Sequence, residues 1–175
     1  IRSRTGGIGR TMIMSPRRVP LSLPWVLLLL LLGLASRSSR AVVSDYYPTI
    51  QSGLDLIERG AYAAAVDTFI KAQRLDPEDP LAHLGLGTAS LYLRDGRAAA
   101  SELRAALRLD PQSSAAYNGL GLCALAQNST NDALVNFGNA TRCDPSFADA
   151  YVNLAYAYCL EKRPDVALDQ CIEAQ

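Results

Sequence analysis

Apolar and polar positions fall into two regimes along this chain. From Trp25 to Leu32 the apolar residues run without a break, whereas beyond Asp45 they recur at helical spacing. Ile50, Leu54 and Ile57 make one face, and Arg59-Gly60 closes that helix. Ala65, Phe69, Ala72 and Leu75 make the next face, until Pro77 ends it by removing a backbone donor. The pattern then begins again. Leu75-Asp76-Pro77 returns as Leu109-Asp110-Pro111 and as Cys143-Asp144-Pro145, so successive prolines stand 34 residues apart. Within each period a tight turn divides two amphipathic helices: Arg59-Gly60, Asp95-Gly96, Asn128-Ser129-Thr130, and Pro164 with Asp165. The spacing predicts an all-α chain of antiparallel helix hairpins.

A 34-residue helix–turn–helix period resembles the tetratricopeptide repeat family. The third period carries the resemblance best, with Tyr117, Leu120, Gly121, Ala133, Phe137 and Pro145. The second keeps Leu86, Gly87, Ala99 and Pro111, with His83 in the bulky slot and Leu103 for Phe. The first keeps Gly53, Ala65, Phe69 and Pro77 behind a weakly matching start. The fourth has Tyr151, Leu154, Tyr158 and Ala167, but Ala155 replaces Gly and Cys171 replaces Phe. The resemblance implies an α-solenoid, a right-handed superhelix of hairpins over 46–79, 80–113, 114–147 and an incomplete 148–175. In it, small residues such as Gly53, Gly87, Gly121, Ala65, Ala99 and Ala133 let helices approach. Phe69, Leu103 and Phe137 fill the space between hairpins. No closing Leu-Asp-Pro or polar capping helix follows the fourth period, so the natural protein is expected to continue past Gln175.

The resemblance also implies a function. Such arrays hold a peptide or a partner helix on the concave face lined by their first helices. The positions mapping there are Ile50, Gln51 and Leu54, then Leu84, Gly85, Thr88 and Leu91, then Asn118, Gly119 and Leu122, then Val152, Asn153 and Tyr156. The face is apolar with a few amides. It lacks the cations with which some relatives clamp a C-terminal carboxylate, so an apolar extended segment or an amphipathic helix is the expected occupant, with Asn118 and Asn153 bonding to its backbone. The chain is therefore expected to be an interaction scaffold, without enzymatic activity or cofactor. The alternative is the recruiting module of a larger exported protein, a co-chaperone or an enzyme.

Charge changes the picture only at the front. The chain is formally neutral, with 17 Lys and Arg against 17 Asp and Glu, yet the first forty residues hold seven arginines and no acid. The remainder carries ten bases against all seventeen acids and so repels phosphate backbones; no nucleic-acid partner is expected. Arg17 and Arg18, the apolar run and the small residues through Ala41 form the three parts of a secretory signal peptide over 14–41, with small-x-small exits after Ala35 and after Ala41. A short linker, 42–45, leads into the repeats, and 1–13 read as upstream or fragment residues. The expected location is exported: secreted, periplasmic or in a secretory lumen. Anchoring by an uncleaved leader is the alternative membrane connection.

Little else suggests chemistry. His83 is expected to be an ordinary packed or surface histidine. Cys123, Cys143, Cys159 and Cys171 match no zinc spacing, and no metal is expected. Cys159 and Cys171, on opposite arms of one hairpin, are the best candidate disulfide, but each cysteine is read as replacing a core residue. Asn128-Ser129-Thr130 and Asn139-Ala140-Thr141 are glycosylation acceptor patterns, the first in an exposed turn and the second facing outward from a helix.

Overall fold

The computed structural model describes residues 45–173; the leader, its cleavage sites and residues 174–175 lie outside the described residues. Among those described, no helix is long and apolar enough to cross a membrane. The chain forms four hairpins. Helix α1 covers 45–58 of the described residues and is followed by α2 (Tyr62–Leu75). Then come α3 (Pro80–Tyr92) with α4 (Gly96–Leu109), α5 (Ser114–Ala126) with α6 (Thr130–Cys143), and α7 (Ala148–Leu160) with α8 (Pro164–Glu173). This is an all-α solenoid.

Local chemistry sets each helix end. The first helix of every hairpin closes with the same two backbone bonds, as in Asp95 N–H to Ser90 O at 2.9 Å and Arg94 N–H to Leu91 O at 3.0 Å. That closure needs one left-handed residue, and Gly60, Arg94, Asn128 and Lys162, 34 residues apart, all have φ between 58° and 74°. The sequence pattern assigns the second turn to Asp95-Gly96. Instead Arg94 takes the positive φ, Asp95 caps α4 by accepting from the Ala98 N–H at 3.0 Å, and Gly96 is the first helical residue. The Leu-Asp-Pro closure works differently. Asp76, Asp110 and Asp144 each accept the backbone N–H two residues on, at 2.9–3.1 Å, where proline forbids further helix. The Ser146 hydroxyl, then its N–H, bond Asp144 and hold its carboxyl below the ordinary range.

Packing follows from small residues facing large ones. Phe69, Leu103 and Phe137 are the largest fully buried side chains among the described residues. A Cβ built on Gly53 or Gly85 would fall 2.6 Å from Phe69 Cζ, so that ring lies between the first helices of consecutive hairpins. Leu103 is held likewise between Gly87 and Gly119, with 2.6 Å to Cγ and 2.8 Å to Cδ1. The core is accordingly segmental. One cluster joins Tyr46, Phe69 and Leu86, a second Leu103, Leu120 and Cys123, a third Phe137 and Leu154. First helices pack across hairpins, α3 with α5 and α5 with α7, while among the described residues no Cα atoms of α4 and α6 come within 8 Å of each other. The first helices therefore form the inner, concave side.

Candidate binding groove

Two depressions open on that concave side, and they share Thr88 and Ala115. The smaller, about 150 Å³, is walled by Leu54, Ile57, Leu81 and Leu84, with Ile50, Phe69 and Gly85 beneath. The larger, about 400 Å³, is lined by Leu91, Tyr92, Asn118, Gly119, Leu122, Phe147, Asp149, Val152 and Asn153. Together they make one trough across the first helices. Helical geometry explains its lining, because residues three and four apart share a face: Leu84 with Thr88 and Leu91, Asn118 with Leu122, Asp149 with Val152 and Asn153.

The apolar walls retain exposed surface. Leu54 is 43% exposed, Leu122 37% and Val152 56%, so each has area left for a ligand to cover. Ile50 differs: it is 7% exposed and belongs to the first core cluster, so it supports the trough from below. Gly85 and Gly119 form the floor, against Phe69 and Leu103. Tyr156 is exposed one turn beyond Val152 but lines neither depression, and Gln51 is likewise exposed outside them.

Polar chemistry in the trough is sparse and defined. Asn153 Nδ2 donates to Asn118 Oδ1 at 2.9 Å, which leaves Asn118 Nδ2 as a donor and Asn153 Oδ1 as an acceptor. The Thr88 hydroxyl donates to Leu84 O at 2.8 Å. Among the lining residues Asp149 alone carries a charge at neutral pH, and no Lys, Arg or His is present. Leu81, Ala115 and Asp149 escape the sequence mapping although they stand 34 residues apart, one helical turn before Leu84, Asn118 and Val152. Extending each face by one turn would find them.

Outside the trough, His83 Nδ1 lies 2.8 Å from Glu102 Oε2 and 3.2 Å from Gln73 Nε2, a half-buried polar cluster bridging α2, α3 and α4. Cys123 is buried, and burial pushes its thiol pKa up; Cys159 is exposed, and the Cys171 side chain lies outside the described residues. Asn128 is exposed at its turn. Asn139 is half-buried, accepts a bond from the Arg142 guanidinium, and lines a crevice with Tyr117 and Cys143. Among the described residues no group of three His, Cys, Asp or Glu is close enough to share a metal ion.

The tetratricopeptide repeat pattern matches residues 50–91 and 86–142. Among solved structures, a thermophilic tetratricopeptide protein of Thermus thermophilus is similar at 22% identity, over 74% of this chain and 72% of that one, with a TM-score of 0.68. YrrB, a tetratricopeptide protein with an unusual peptide-binding site, is 25% identical over 87% of this chain and 84% of its own, at a TM-score of 0.59. The first tetratricopeptide domain of Spaghetti (RPAP3), bound to the HSP90 peptide SRMEEVD, is 20% identical over 67% of this chain and 93% of its own, at 0.62. Among curated proteins no sequence matches.

Proposed function

The chain belongs to the tetratricopeptide repeat family, and from that premise we propose that it is a protein-interaction scaffold whose concave trough holds a peptide segment of a partner. The observation that carries this reading is the trough itself: continuous across the first helices, apolar on its walls, and furnished with Asn118 Nδ2 as a donor and Asn153 Oδ1 as an acceptor, neither engaged elsewhere among the described residues. Peptide binding by YrrB and by the Spaghetti domain supports it as precedent in the same fold. Covering the remaining exposed surface of Leu54, Leu81, Leu122 and Val152 contributes on the order of 1 kcal/mol each.

The basic, apolar and small-residue order of residues 14–41 supports placing this scaffold beyond a membrane, free after cleavage or held by an uncleaved leader. The trough would serve a free-standing adaptor and the recruiting arm of a larger exported protein equally.

The test is direct. Peptides selected from a random display library against the purified chain are titrated against it and against a Leu122→Glu, Val152→Glu variant. Both sites are exposed, so circular dichroism should be unchanged while affinity falls at least about tenfold. Unchanged affinity for every selected peptide overturns the reading.

A further inference from the structure

Resting on that reading of the trough, we propose that its occupant is an extended segment anchored by a single lysine or arginine, read at its main chain by Asn118 and Asn153 and at its side chain by Asp149. The unpaired polar groups lead to this occupant. One amide donor and one amide acceptor sit side by side across α5 and α7, joined by the 2.9 Å bond between the two asparagines. Such a pair matches the N–H and C=O of one residue in extended chain. A helical ligand has already spent its main-chain groups on itself. Asp149 stands four residues before Asn153 on α7, about 6 Å back along the same face. Among the described residues no hydrogen bond or ion pair engages its carboxylate.

A residue whose main chain meets the asparagines would therefore run its side chain along α7 toward that carboxylate, across a distance that a lysine or arginine stem spans. The trough offers nothing to pair with an acidic ligand, because no Lys, Arg or His lines it. Toward α3 and α1 the walls turn wholly apolar, at Leu84, Leu81 and Leu54. The segment is thus one cationic residue followed by alternate apolar side chains, its other faces open to solvent.

Three N-acetylated, C-amidated heptapeptides of alternating threonine and leucine, with lysine, norleucine or glutamate at the centre, discriminate the outcomes by fluorescence anisotropy. The lysine peptide should bind tightest, about fivefold to thirtyfold tighter than the glutamate peptide at about 50 mM salt, with the gap narrowing at about 0.5 M. Asp149→Lys should reverse that order and leave the norleucine peptide nearly unaffected. Equal binding of all three overturns the cationic anchor while the trough stands as a peptide site. A gain of peptide helicity on binding overturns the extended conformation. No binding by any of the three overturns both this inference and the trough reading on which it rests.

Discussion

Gly85 and Gly138 are both helix-interior glycines, yet replacing them by alanine should move stability in opposite directions. In a helix interior alanine is favoured over glycine by about 1 kcal/mol, through backbone entropy alone. At Gly138, inside α6, an added Cβ meets nothing within 4 Å, so Gly138→Ala should stabilise by roughly that amount. At Gly85 the same atom falls 2.5 Å from Phe69 Cδ1 and 2.6 Å from Cζ. The ring has little room to retreat, because Phe69 is fully buried and a Cβ built on Gly53 of α1 would likewise fall 2.6 Å from its Cζ. Overpacking of this kind costs about 1–3 kcal/mol, which cancels or exceeds the helical gain and leaves Gly85→Ala about 0–2 kcal/mol less stable. The difference between the two variants is the steric cost freed of propensity. Urea titrations followed by far-ultraviolet circular dichroism read both. Phe69→Leu as a second background should recover part of the loss, since a smaller chain can yield. If Gly85→Ala raises the urea midpoint as much as Gly138→Ala does, the interlocking of Phe69 between hairpins is refuted.

Other consequences follow from the same packing and turns. Arg94→Gly and Lys162→Gly, at φ 61° and 58°, should each stabilise by about 1 kcal/mol in urea titrations, and Gly60→Ala should destabilise by a similar amount; unchanged midpoints contradict the turn assignment. Tyr46 is 2% exposed, its hydroxyl buried beside the Asp79 carboxylate. Burial, and next the Asp79 carboxylate, push its phenol above the ordinary 10. The folded chain thus holds that proton longer than the unfolded one. Above pH 10 the Tyr46 contribution should fall by up to about 1.4 kcal/mol per pH unit, and Tyr46→Phe should remove that part of the alkaline slope while the part due to the raised Cys123 thiol remains. An alkaline slope untouched by that substitution would rule out Tyr46 as its source. Cys123, buried and with its thiol pKa raised, should resist iodoacetamide at about pH 8 until urea opens the array, while exposed Cys159 reacts at once; equal rates by mass spectrometry contradict the second core cluster.

Much of this architecture is readable in the residues because each repeat solves the same local problem with similar atoms. The 34-residue recurrence of Leu-Asp-Pro announces the hairpin period, since proline after a helix-closing residue stops the helix abruptly. What a linear pattern cannot supply is which flank of a helix meets the next hairpin. Gly85 lies near Leu81 and Thr88 on a helical projection and so reads as concave surface. The placement of Phe69 adds what the projection cannot show, that this floor position is also where the ring packs. The second turn shows the limit from the other side. Glycine is the expected left-handed residue, yet the closure of α3 imposes that conformation on Arg94, because Asp95 is committed to capping α4. Asp149 is unmarked in the sequence because its repeat counterparts, Leu81 and Ala115, are uncharged, so nothing in the periodicity singles out that position as polar. The amide pair is legible only as two separate asparagines; their mutual bond, and the donor and acceptor it leaves unpaired, belong to the folded array.

The trough of the first helices is the place proposed to hold a partner. Backbone amide chemical-shift mapping with a display-selected peptide tests it most directly. The largest shifts should fall at Thr88, Asn118, Leu122, Val152 and Asn153, with Arg104 and Asn136, in the crevice between α4 and α6, left in place. Shifts gathered around that crevice, with the trough silent, would contradict it.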